Sequence, residues 1–315
     1  MRNDDLKFSI ILAVYNAEYF IERTIQSFIS CGFRHSEMII IDDGSTDRTL
    51  QICRKYQYSD QIRVIKQSHH GLGYSRNAGI DLAYGEYILF LDGDDTLNNS
   101  IFYRLSNNLN GHDVVYFNWK KLKGDVVSLV NGIDAKKTIA VWNKCYKRSF
   151  ILENGLKFPE NSKFEDVGYS LRALMLSDSN GYIDGDALYN YSVRFDSASH
   201  ASASPRDRLE VLHNLEKLKC EFLGVVTDKE NLNLIDQYIY DCWRFQFRGL
   251  LVHFNDEAQY VAKLYVKFLE SYRSNQKNSF IKRYMDVVKY KSIFTIISFL
   301  NNELLIVKRI CKAFV

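Results

Sequence analysis

The stretch YGEYILFLDGDDTLNN, residues 84–99, decides the fold and raises the main question about function. Its apolar run from Tyr87 to Leu91 is typical of a strand covered on both faces, because no polar residues alternate with the apolar ones. The run ends directly in Asp92-Gly93-Asp94-Asp95, which places three carboxylates within four positions. Carboxylates this close repel one another and do not belong in an apolar core, so the sequence predicts a cation beside them.

Apolar strands and helical stretches alternate over the first hundred residues. The predicted strands are Phe8 to Val14, Met38 to Ile41, Ile62 to Ile65 and Tyr87 to Leu91, and the helices between them are Ala17 to Ile29, Thr46 to Tyr56 and Gly73 to Ala83. This order predicts a mostly parallel, doubly wound α/β sheet. In such sheets ligands bind at the carboxyl ends of the strands, where this chain carries its polar residues.

The later part of the chain has a mixed and then a helical pattern. Val114 to Trp119 and Ala187 to Val193 read as strands, and Ser170 to Leu176 reads as a helix. Ser204 and Pro205 form a cap and a first-turn proline before a segment whose leucines share one face. We therefore expect an α/β domain over residues 1–204 and an all-helical region over residues 205–315.

Composition places the chain among ordinary globular proteins, with 46% hydrophobic and 25% charged residues. A formal net charge of +3 is too small to predict a nucleic-acid-binding surface over the whole chain. The six cysteines are widely spaced, which is typical of reduced thiols in the cytoplasm. The N-terminus lacks the features of a signal peptide, and the apolar run from Ile293 to Leu300 is too short to span a membrane.

Residues 279–315 are more basic than the rest of the chain. They carry seven Lys and Arg residues against Asp286 and Glu303, a local charge of +5, together with short apolar clusters. This pattern favours peripheral contact with an anionic membrane surface, such as the inner face of a cell membrane. A packed helix with a solvated basic face, or a dimer contact, fits the pattern equally well.

Asp92 and Asp94 are candidate ligands for a divalent metal. Two carboxylates on a loop that leaves a buried strand can bind Mg²⁺ or Mn²⁺ while the ion keeps water and phosphate ligands. A capped turn built from Asp and Gly explains the same residues without a metal. The motif alone does not decide between these interpretations.

Three segments together give these carboxylates a context. SIILAVYNAEYFIERTIQSF (residues 9–28), MIIIDDGSTDRT (38–49) and GLGYSRNAGIDLAYGEYILFLDGDD (71–95) resemble, in order and spacing, the inverting nucleotide-sugar glycosyltransferases of family 2. The resemblance covers roughly residues 7–200. It implies the GT-A fold, a nucleotide-sugar donor such as a UDP-sugar, a Mn²⁺ or Mg²⁺ cofactor, and a saccharide acceptor in bacterial surface-glycan assembly, carried in some members on a lipid pyrophosphate.

The resemblance assigns the first two strand ends to the nucleotide. Val14 and Tyr15 would line the base, and Asp42 or Asp43 would accept a base N–H. The alternative is that Tyr15 packs at a strand end and that the Asp42-Asp43 segment is a turn before a helix cap.

The remaining donor residues follow from the same resemblance. Asp92, Gly93 and Asp94 would reach the ribose and the metal, and Arg76 and Asn77 would face the diphosphate, where an arginine fork suits paired oxygens. A charge on a helix surface is the other interpretation of Arg76. The neighbouring pair His69-His70 has no metal-ligand spacing, and we interpret it as a solvated loop.

Inversion at a sugar carbon requires a general base beside the acceptor hydroxyl. In the segment from Val141 to Leu174, the resemblance points to the acidic pair Glu165-Asp166 at the start of a helix. Asp166 is then the predicted base, and Glu165 is the alternative base or an acceptor-binding residue. Acids in a first helical turn are also ordinary capping residues.

Three further residues have weaker assignments. His200 is a candidate metal or phosphate contact, although a solvent-facing loop explains a lone histidine as well. Trp142 and Lys144 are candidates for the acceptor or diphosphate side, and Trp142 fits a core position equally.

The sequence thus predicts a metal-dependent inverting glycosyltransferase. Two alternatives remain: a nucleotidyltransferase that acts on a sugar phosphate, and a catalytically silent module that binds nucleotide sugar or glycan. The first strand lacks the Gly-rich phosphate loop of the former, and the intact carboxylates argue against the latter.

Overall fold

The computed structural model describes residues 6–124, 126–130, 140–160, 162, 164–193 and 204–222, and the single residues 242, 246, 257, 260, 261 and 264. Two compact units are distinguished along the chain, residues 1–249 and 250–315. His200, residues 279–315 and most of the predicted helical region lie outside the described residues. The boundary predicted after residue 204 therefore remains a prediction.

The first half of the chain has the predicted alternation of strands and helices. Its elements are β1 (Phe8–Val14), α1 (Ile21–Ser30), β2 (Ser36–Asp42), α2 (Thr49–Arg54), β3 (Ile62–Lys66), α3 (Leu72–Leu82) and β4 (Tyr87–Asp92). Helix α2 begins at Thr49 rather than Thr46, because the Asp47 carboxylate accepts a hydrogen bond from the Thr49 amide at 2.9 Å.

The second half completes the sheet and adds a smaller one. Its elements are β5 (Thr96–Leu97), α4 (Ile101–Ser106), β6 (Val114–Phe117), β7 (Trp119–Lys123), β8 (Val126–Val130), β9 (Lys144–Lys147), α5 (Arg148–Glu153), α6 (Glu165–Leu176), β10 (Asn180–Ile183), β11 (Tyr189–Ser192) and α7 (Pro205–Phe222).

The large sheet has seven strands in the order β10-β6-β9-β4-β1-β2-β3. Strands β4, β1, β2 and β3 are mutually parallel, and β9 runs antiparallel between β4 and β6. The smaller sheet has the order β5-β11-β7-β8. The predicted α/β class with a mostly parallel sheet is thus confirmed.

Two predictions for the later region are wrong. The single strand from Val114 to Trp119 is two strands, and Asn118 separates β6 in the large sheet from β7 in the small one. Asn118 is buried there, and hydrogen bonds satisfy its polar groups. Its side-chain amide donates to Gly185 O, and its main-chain carbonyl accepts from Leu188 N. The helix that the residue pattern placed from Ser170 begins instead at Glu165, as the resemblance implied, so the acidic pair lies in its first turn.

Both faces of the large sheet are buried, as the unbroken apolar strands require. Side chains that alternate along β1 and β4 pack into two separate layers, Ile10, Leu12, Leu89 and Leu91 on one face and Ile11, Ile88 and Phe90 on the other. The described helices include none that is long and apolar enough to cross a membrane.

Helix α7 has the predicted start. Ser204 N donates to the Asp207 carboxylate at 2.8 Å, and Asp207 N donates to Ser204 Oγ at 3.2 Å, which is a reciprocal capping box. Its buried face packs against α6 and includes Leu212, Leu215 and Leu218.

Helix α3 lies unusually close to the central strand β1. A Cβ added at Gly79 would lie 2.4 Å from Ile11 Cγ2, which is closer than real side chains approach one another. The absence of a side chain at this position therefore sets the depth at which α3, and every residue it carries, sits on the sheet.

We predict that Gly79→Ala lowers the unfolding free energy by about 1–3 kcal/mol through overpacking, despite the higher helix propensity of alanine. Urea denaturation should show this loss. The double variant Gly79→Ala/Ile11→Ala should lose less than the sum of the two single variants, because the second change removes the clashing atoms. A Gly79→Ala protein as stable as the wild type would contradict the close packing.

Candidate active site

The predicted polar strand ends meet at one edge of the large sheet. In the strand register, Val14 of β1 pairs with Asp42 of β2, and Ala13 pairs with Asp92 of β4. The segments that follow these three strands therefore lie side by side. This edge is the carboxyl end of parallel strands, where ligands bind in doubly wound sheets.

Arg76 joins this edge to helix α6. Its side chain is 4% exposed, which rules out a solvated helix charge. Nη1 donates to Glu165 Oε1 at 2.5 Å and to Asp166 Oδ1 at 2.8 Å, and Nη2 donates to Asp92 Oδ1 at 2.9 Å. These three acids and Arg76 are called the carboxylate cluster below. Both terminal nitrogens of the Arg76 guanidinium donate to carboxylates in this structure. The contact of Arg76 with a diphosphate stays a prediction.

The first turn of α6 supplies two of these acids. Negative side chains are stabilised at a helix N-terminus by the free amide groups and the helix dipole. Glu165 is buried, whereas Asp166 keeps about a quarter of its side chain exposed. Asp166 is thus the more accessible of the pair to an incoming hydroxyl group.

The loop before α6 holds α3 and α6 at a fixed separation. A Cβ at Gly73 of α3 would lie 2.2 Å from Pro159 O, and one at Gly168 of α6 would lie 2.9 Å from Pro159 Cγ. The proline therefore fits between two helices that both carry glycine at the contact. This spacing lets the Arg76 guanidinium reach Glu165 and Asp166.

Asn77 belongs to this support and not to the predicted diphosphate site. Its amide nitrogen donates to Phe158 O at 3.0 Å, and its amide oxygen accepts from Phe158 N at 2.8 Å. The side chain is buried and bonded in both directions, so the prediction for Asn77 is corrected to a structural role.

The pKa values of Asp166 and Glu165 in the carboxylate cluster are raised. Burial raises the pKa of Asp166 to about 7; the Arg76 charge lowers it, and the charges of Glu165 and Asp92 raise it. Burial likewise raises the pKa of Glu165, against the Arg76 charge. A carboxylate with a pKa near the working pH combines adequate ionisation with basicity, which suits a general base.

Asp95, the third acid of the opening motif, has a structural role. It is fully buried, and its carboxylate accepts hydrogen bonds of 2.7 Å from Tyr189 Oη and from Ser192 N. These bonds join the end of β4 to β11 of the small sheet. Burial, followed by the charges of Asp92 and Asp94, raises its pKa well above the ordinary value.

Asp92 and Asp94 lie on the more open side of the same loop. No group of three or more His, Cys, Asp or Glu side chains with metal-binding geometry occurs among the described residues. Mg²⁺ and Mn²⁺ in phosphate sites commonly take one or two protein carboxylates and complete their shell with phosphate and water. The two carboxylates supply oxygen ligands of the kind that such an ion takes, so the donor set fits it. Their negative charge also raises the pKa of Asp95, and a bound cation would balance that charge.

Gly93 and Val14 support this loop. A Cβ at Gly93 would lie 3.0 Å from Val14 Cγ1, so the loop rests directly on the valine. Val14 is 2% exposed, which leaves its side chain no surface to line a base as predicted. Its role is corrected to packing under the Asp92–Asp94 loop.

Asp43 is bonded on both carboxylate oxygens. Oδ1 accepts from Gln67 Nε2 at 2.7 Å and from His70 N at 2.9 Å, and Oδ2 accepts from Gly71 N at 2.8 Å. Burial opposes ionisation, but these hydrogen bonds outweigh it and lower the pKa of Asp43. Asp42 differs, because its buried Oδ1 has no hydrogen-bond partner among the described residues.

His69 is an exposed loop residue, as interpreted from the sequence, but its ring has contacts that the sequence did not predict. Its Nδ1 lies 2.8 Å from Asp43 Oδ2, and its ring stacks on Tyr15 with the centroids 4.3 Å apart. No sequence signal links these residues, since the contact arises only when the ends of β1, β2 and β3 come together.

Trp142 and Lys144 are both buried. Trp142 stacks across Tyr189 and Tyr191, at centroid distances of 4.7 and 5.2 Å, which supports the core interpretation. Lys144 Nζ donates to Asn143 Oδ1 at 2.7 Å. Burial lowers the pKa of Lys144 to about 7, against the Asp166 charge.

Comparison with known proteins identifies the family of this domain. Residues 9–164 match the family model described as glycosyl transferase family 2, so the chain carries a domain of this family. The glycosyltransferase EpsJ of Bacillus subtilis is 32% identical over 207 residues, covering 58% of this chain and 60% of EpsJ. The poly(ribitol-phosphate) β-N-acetylglucosaminyltransferase TarS of Staphylococcus aureus is 28% identical over 226 residues, covering 66% of this chain and 39% of TarS.

The fold is also that of a solved structure. The crystal structure of S. aureus TarS 1–349 in complex with UDP-GlcNAc superposes with a TM-score of 0.73 at 24% identity, covering 84% of this chain and 81% of that one. The predicted GT-A fold is thereby confirmed. The chain spans less than two thirds of the length of EpsJ and of full-length TarS.

We predict that Arg76→Met destabilises the protein by about 3–5 kcal/mol at neutral pH, because it leaves three carboxylates without their buried cation. The Arg76 charge lowers the pKa values of Glu165 and Asp166, so in this variant the folded-state pKa values of these two acids rise further above their unfolded values. The unfolding free energy should therefore recover at pH 5 and fall as the pH rises to 8.

Arg63→Met is the matched control for this variant. Arg63 makes a partly buried ion pair with Glu37 at 2.7 Å, away from the carboxylate cluster. Its variant should lose less stability. Equal losses in the two variants, with no difference in pH dependence, would contradict a special role for Arg76.

Proposed function

We propose that this chain is an inverting, metal-dependent glycosyltransferase that moves a sugar from a UDP-sugar to a saccharide acceptor. The carboxylate cluster is the observation that carries the proposal. It joins a candidate donor-side acid, Asp92, and a candidate base, Asp166, through the guanidinium of Arg76. Family 2 membership supports glycosyl transfer over the two alternatives drawn from the sequence.

Asp166 is the proposed general base. Transfer with inversion requires a base that takes the proton of an acceptor hydroxyl group. The hydroxyl oxygen then bonds to the anomeric carbon of the sugar as the bond from that carbon to UDP breaks. The Oδ atoms of Asp166 would receive that proton. Its pKa near 7 is suited to this step, and Arg76 orients the carboxylate.

Asp92 and Asp94 are the proposed metal ligands. A bound Mn²⁺ or Mg²⁺ would supply positive charge to the departing diphosphate. Within the chain, Arg76 fixes Asp92, and Asp95 fixes the loop through Tyr189 and Ser192. The Mn²⁺ complex of a mannosyltransferase from Pyrobaculum calidifontis, which shares the fold at 14% identity and a TM-score of 0.59, is compatible with this assignment.

The nucleotide base would bind at the ends of β1 and β2. Tyr15 is 42% exposed and offers a ring for stacking, and the Asp43 carboxylate lies beside it. The UDP-GlcNAc complex of TarS supports a uridine nucleotide as the first donor to test.

Surface-glycan assembly is the proposed setting. TarS is named for poly(ribitol-phosphate), and GgaB of Bacillus subtilis, 28% identical over 254 residues, is a minor teichoic acid biosynthesis protein. An acceptor of this kind, lipid-linked or polymeric, would be reached by a cytoplasmic enzyme at the membrane surface. The basic segment 279–315 would supply peripheral contact.

Asp166→Asn should lower the transfer rate by about 10²–10⁴ and leave UDP affinity nearly unchanged, because it removes a base but no donor contact. Wild-type transfer should also fall below pH 7, as Asp166 is protonated. Transfer assays on a panel of UDP-sugars, with UDP affinity measured by calorimetry, test both points.

Asp207→Asn is the control for a carboxylate that only caps a helix. Asp207 lies in the first turn of α7 and belongs to a capping box. Its variant should keep the wild-type rate per folded molecule. Near wild-type transfer by Asp166→Asn would remove Asp166 from the mechanism, and Glu165→Gln would then be examined.

Metal dependence predicts that EDTA abolishes transfer and that Mn²⁺ or Mg²⁺ restores it. Asp94→Ala should lose the metal-dependent part of UDP binding, because one of two protein ligands is removed. Asp47→Ala serves as control, since Asp47 accepts hydrogen bonds at the start of α2 and is not proposed as a ligand. Full transfer in the presence of chelator would contradict the metal assignment.

A further inference from the structure

The stacked pair formed by Tyr15 and His69 lies at the proposed base site. The two rings are 4.3 Å apart at an interplanar angle of 30°, and His69 Nδ1 is 2.8 Å from Asp43 Oδ2. The ring thus stacks on Tyr15, and its Nδ1 lies within hydrogen-bond distance of two oxygens of Asp43, the carboxylate Oδ2 and the main-chain carbonyl at 3.1 Å. A nucleobase that carries a ring N–H would make this same pair of contacts.

The other donors to Asp43 belong to the framework of the loop at residues 67–71. Gln67 donates through its side chain, and His70 and Gly71 donate through their main-chain amides. Their loss would release the loop from the end of β2. The His69 side chain is different, because 58% of it is exposed and its described contacts are confined to the Tyr15 ring and two oxygens of Asp43.

The main chain at His69 is closely packed. A Cβ added at Gly44 would lie 2.9 Å from His69 N, and Gly44 has a φ of +75°, which a glycine adopts without strain. The adjacent amides of His70 and Gly71 are bonded to Asp43. Rotation of the His69 side chain alone would therefore uncover Tyr15 and the Asp43 carboxylate without moving the loop.

We propose that the His69 ring occupies the nucleobase subsite and that a nucleotide donor must displace it in order to bind. The inference rests on the proposed function, because it requires that the base bind at Tyr15 and Asp43. His69 then weakens the binding of every nucleotide by a constant factor. The preference between bases is set by Tyr15 and Asp43 themselves, because uracil has an N3–H to donate to Asp43 and the N3 of cytosine carries no hydrogen.

Calorimetric titration of the full chain with UDP and Mn²⁺ tests the displacement. His69→Ala should bind UDP about threefold to tenfold more tightly than the wild type, the range expected for removal of one stacking contact and one exposed polar contact. CDP should bind more weakly than UDP to both proteins. Equal or weaker UDP binding by His69→Ala would overturn the inference.

His70→Ala is the matched control. The His70 ring contacts Ser68 Oγ and the Tyr74 ring, and its bond to Asp43 comes from the main chain, which alanine retains. UDP affinity should therefore equal that of the wild type. A gain as large as that of His69→Ala would show a general effect of loop substitutions and would also overturn the inference.

A second readout uses the wild-type chain and does not depend on how a variant folds. With isotope-labelled histidine, the His69 ring signals, assigned by their loss in His69→Ala, should carry the upfield shift of a ring stacked on tyrosine. Saturating UDP should remove that shift, whereas an unchanged signal would contradict displacement. Two failures can be told apart. If the wild type binds neither UDP nor GDP, the proposed function itself fails. If the wild type binds UDP and His69→Ala binds it no more tightly, only the displacement by His69 is contradicted.

Discussion

The guanidinium of Arg76 is the group around which the candidate site is organised. It is buried against Asp92 from β4 and against Glu165 and Asp166 from α6, elements that are distant in the sequence. Burial opposes a charge on Arg76, but the three acids outweigh it, and the pKa of Arg76 is raised. A buried cation is costly unless it is paired in this way, so the burial of Arg76 depends on its three carboxylate partners.

The surrounding backbone is arranged to permit this contact. Gly79 lets α3 approach β1, Gly73 and Gly168 admit Pro159 between α3 and α6, and Asn77 clamps the main chain of Phe158. These residues contribute no chemistry to the proposed reaction. They fix the separation at which Arg76 orients the Asp166 carboxylate. Burial raises the pKa of this carboxylate to about 7 against the Arg76 charge, and a pKa near 7 suits the proposed base.

Patterns within short segments were sufficient to predict the alternation of strands and helices along the chain and the motif at Asp92, because each depends on local spacing, whereas the acidic pair that opens α6 was identified through the resemblance to family 2. Contacts between segments were not predictable in this way. Arg76 was predicted from the resemblance to face the diphosphate, and the sequence did not show its carboxylate partners because they lie 16 to 90 residues away. The stacking of His69 on Tyr15, and the break at Asn118 between two sheets, likewise follow from packing across the fold.

The central claim is that Asp92 and Asp166, held by one arginine, are the donor side and the base side of a single site. A crystal structure with UDP and Mn²⁺, with the ion located by anomalous scattering, tests it most directly. The account predicts Mn²⁺ bound to Asp94 or Asp92 and to the diphosphate, with Arg76 still bonded to Asp166. An ion bound elsewhere, or an Arg76 that has left the acids for the diphosphate, would contradict it.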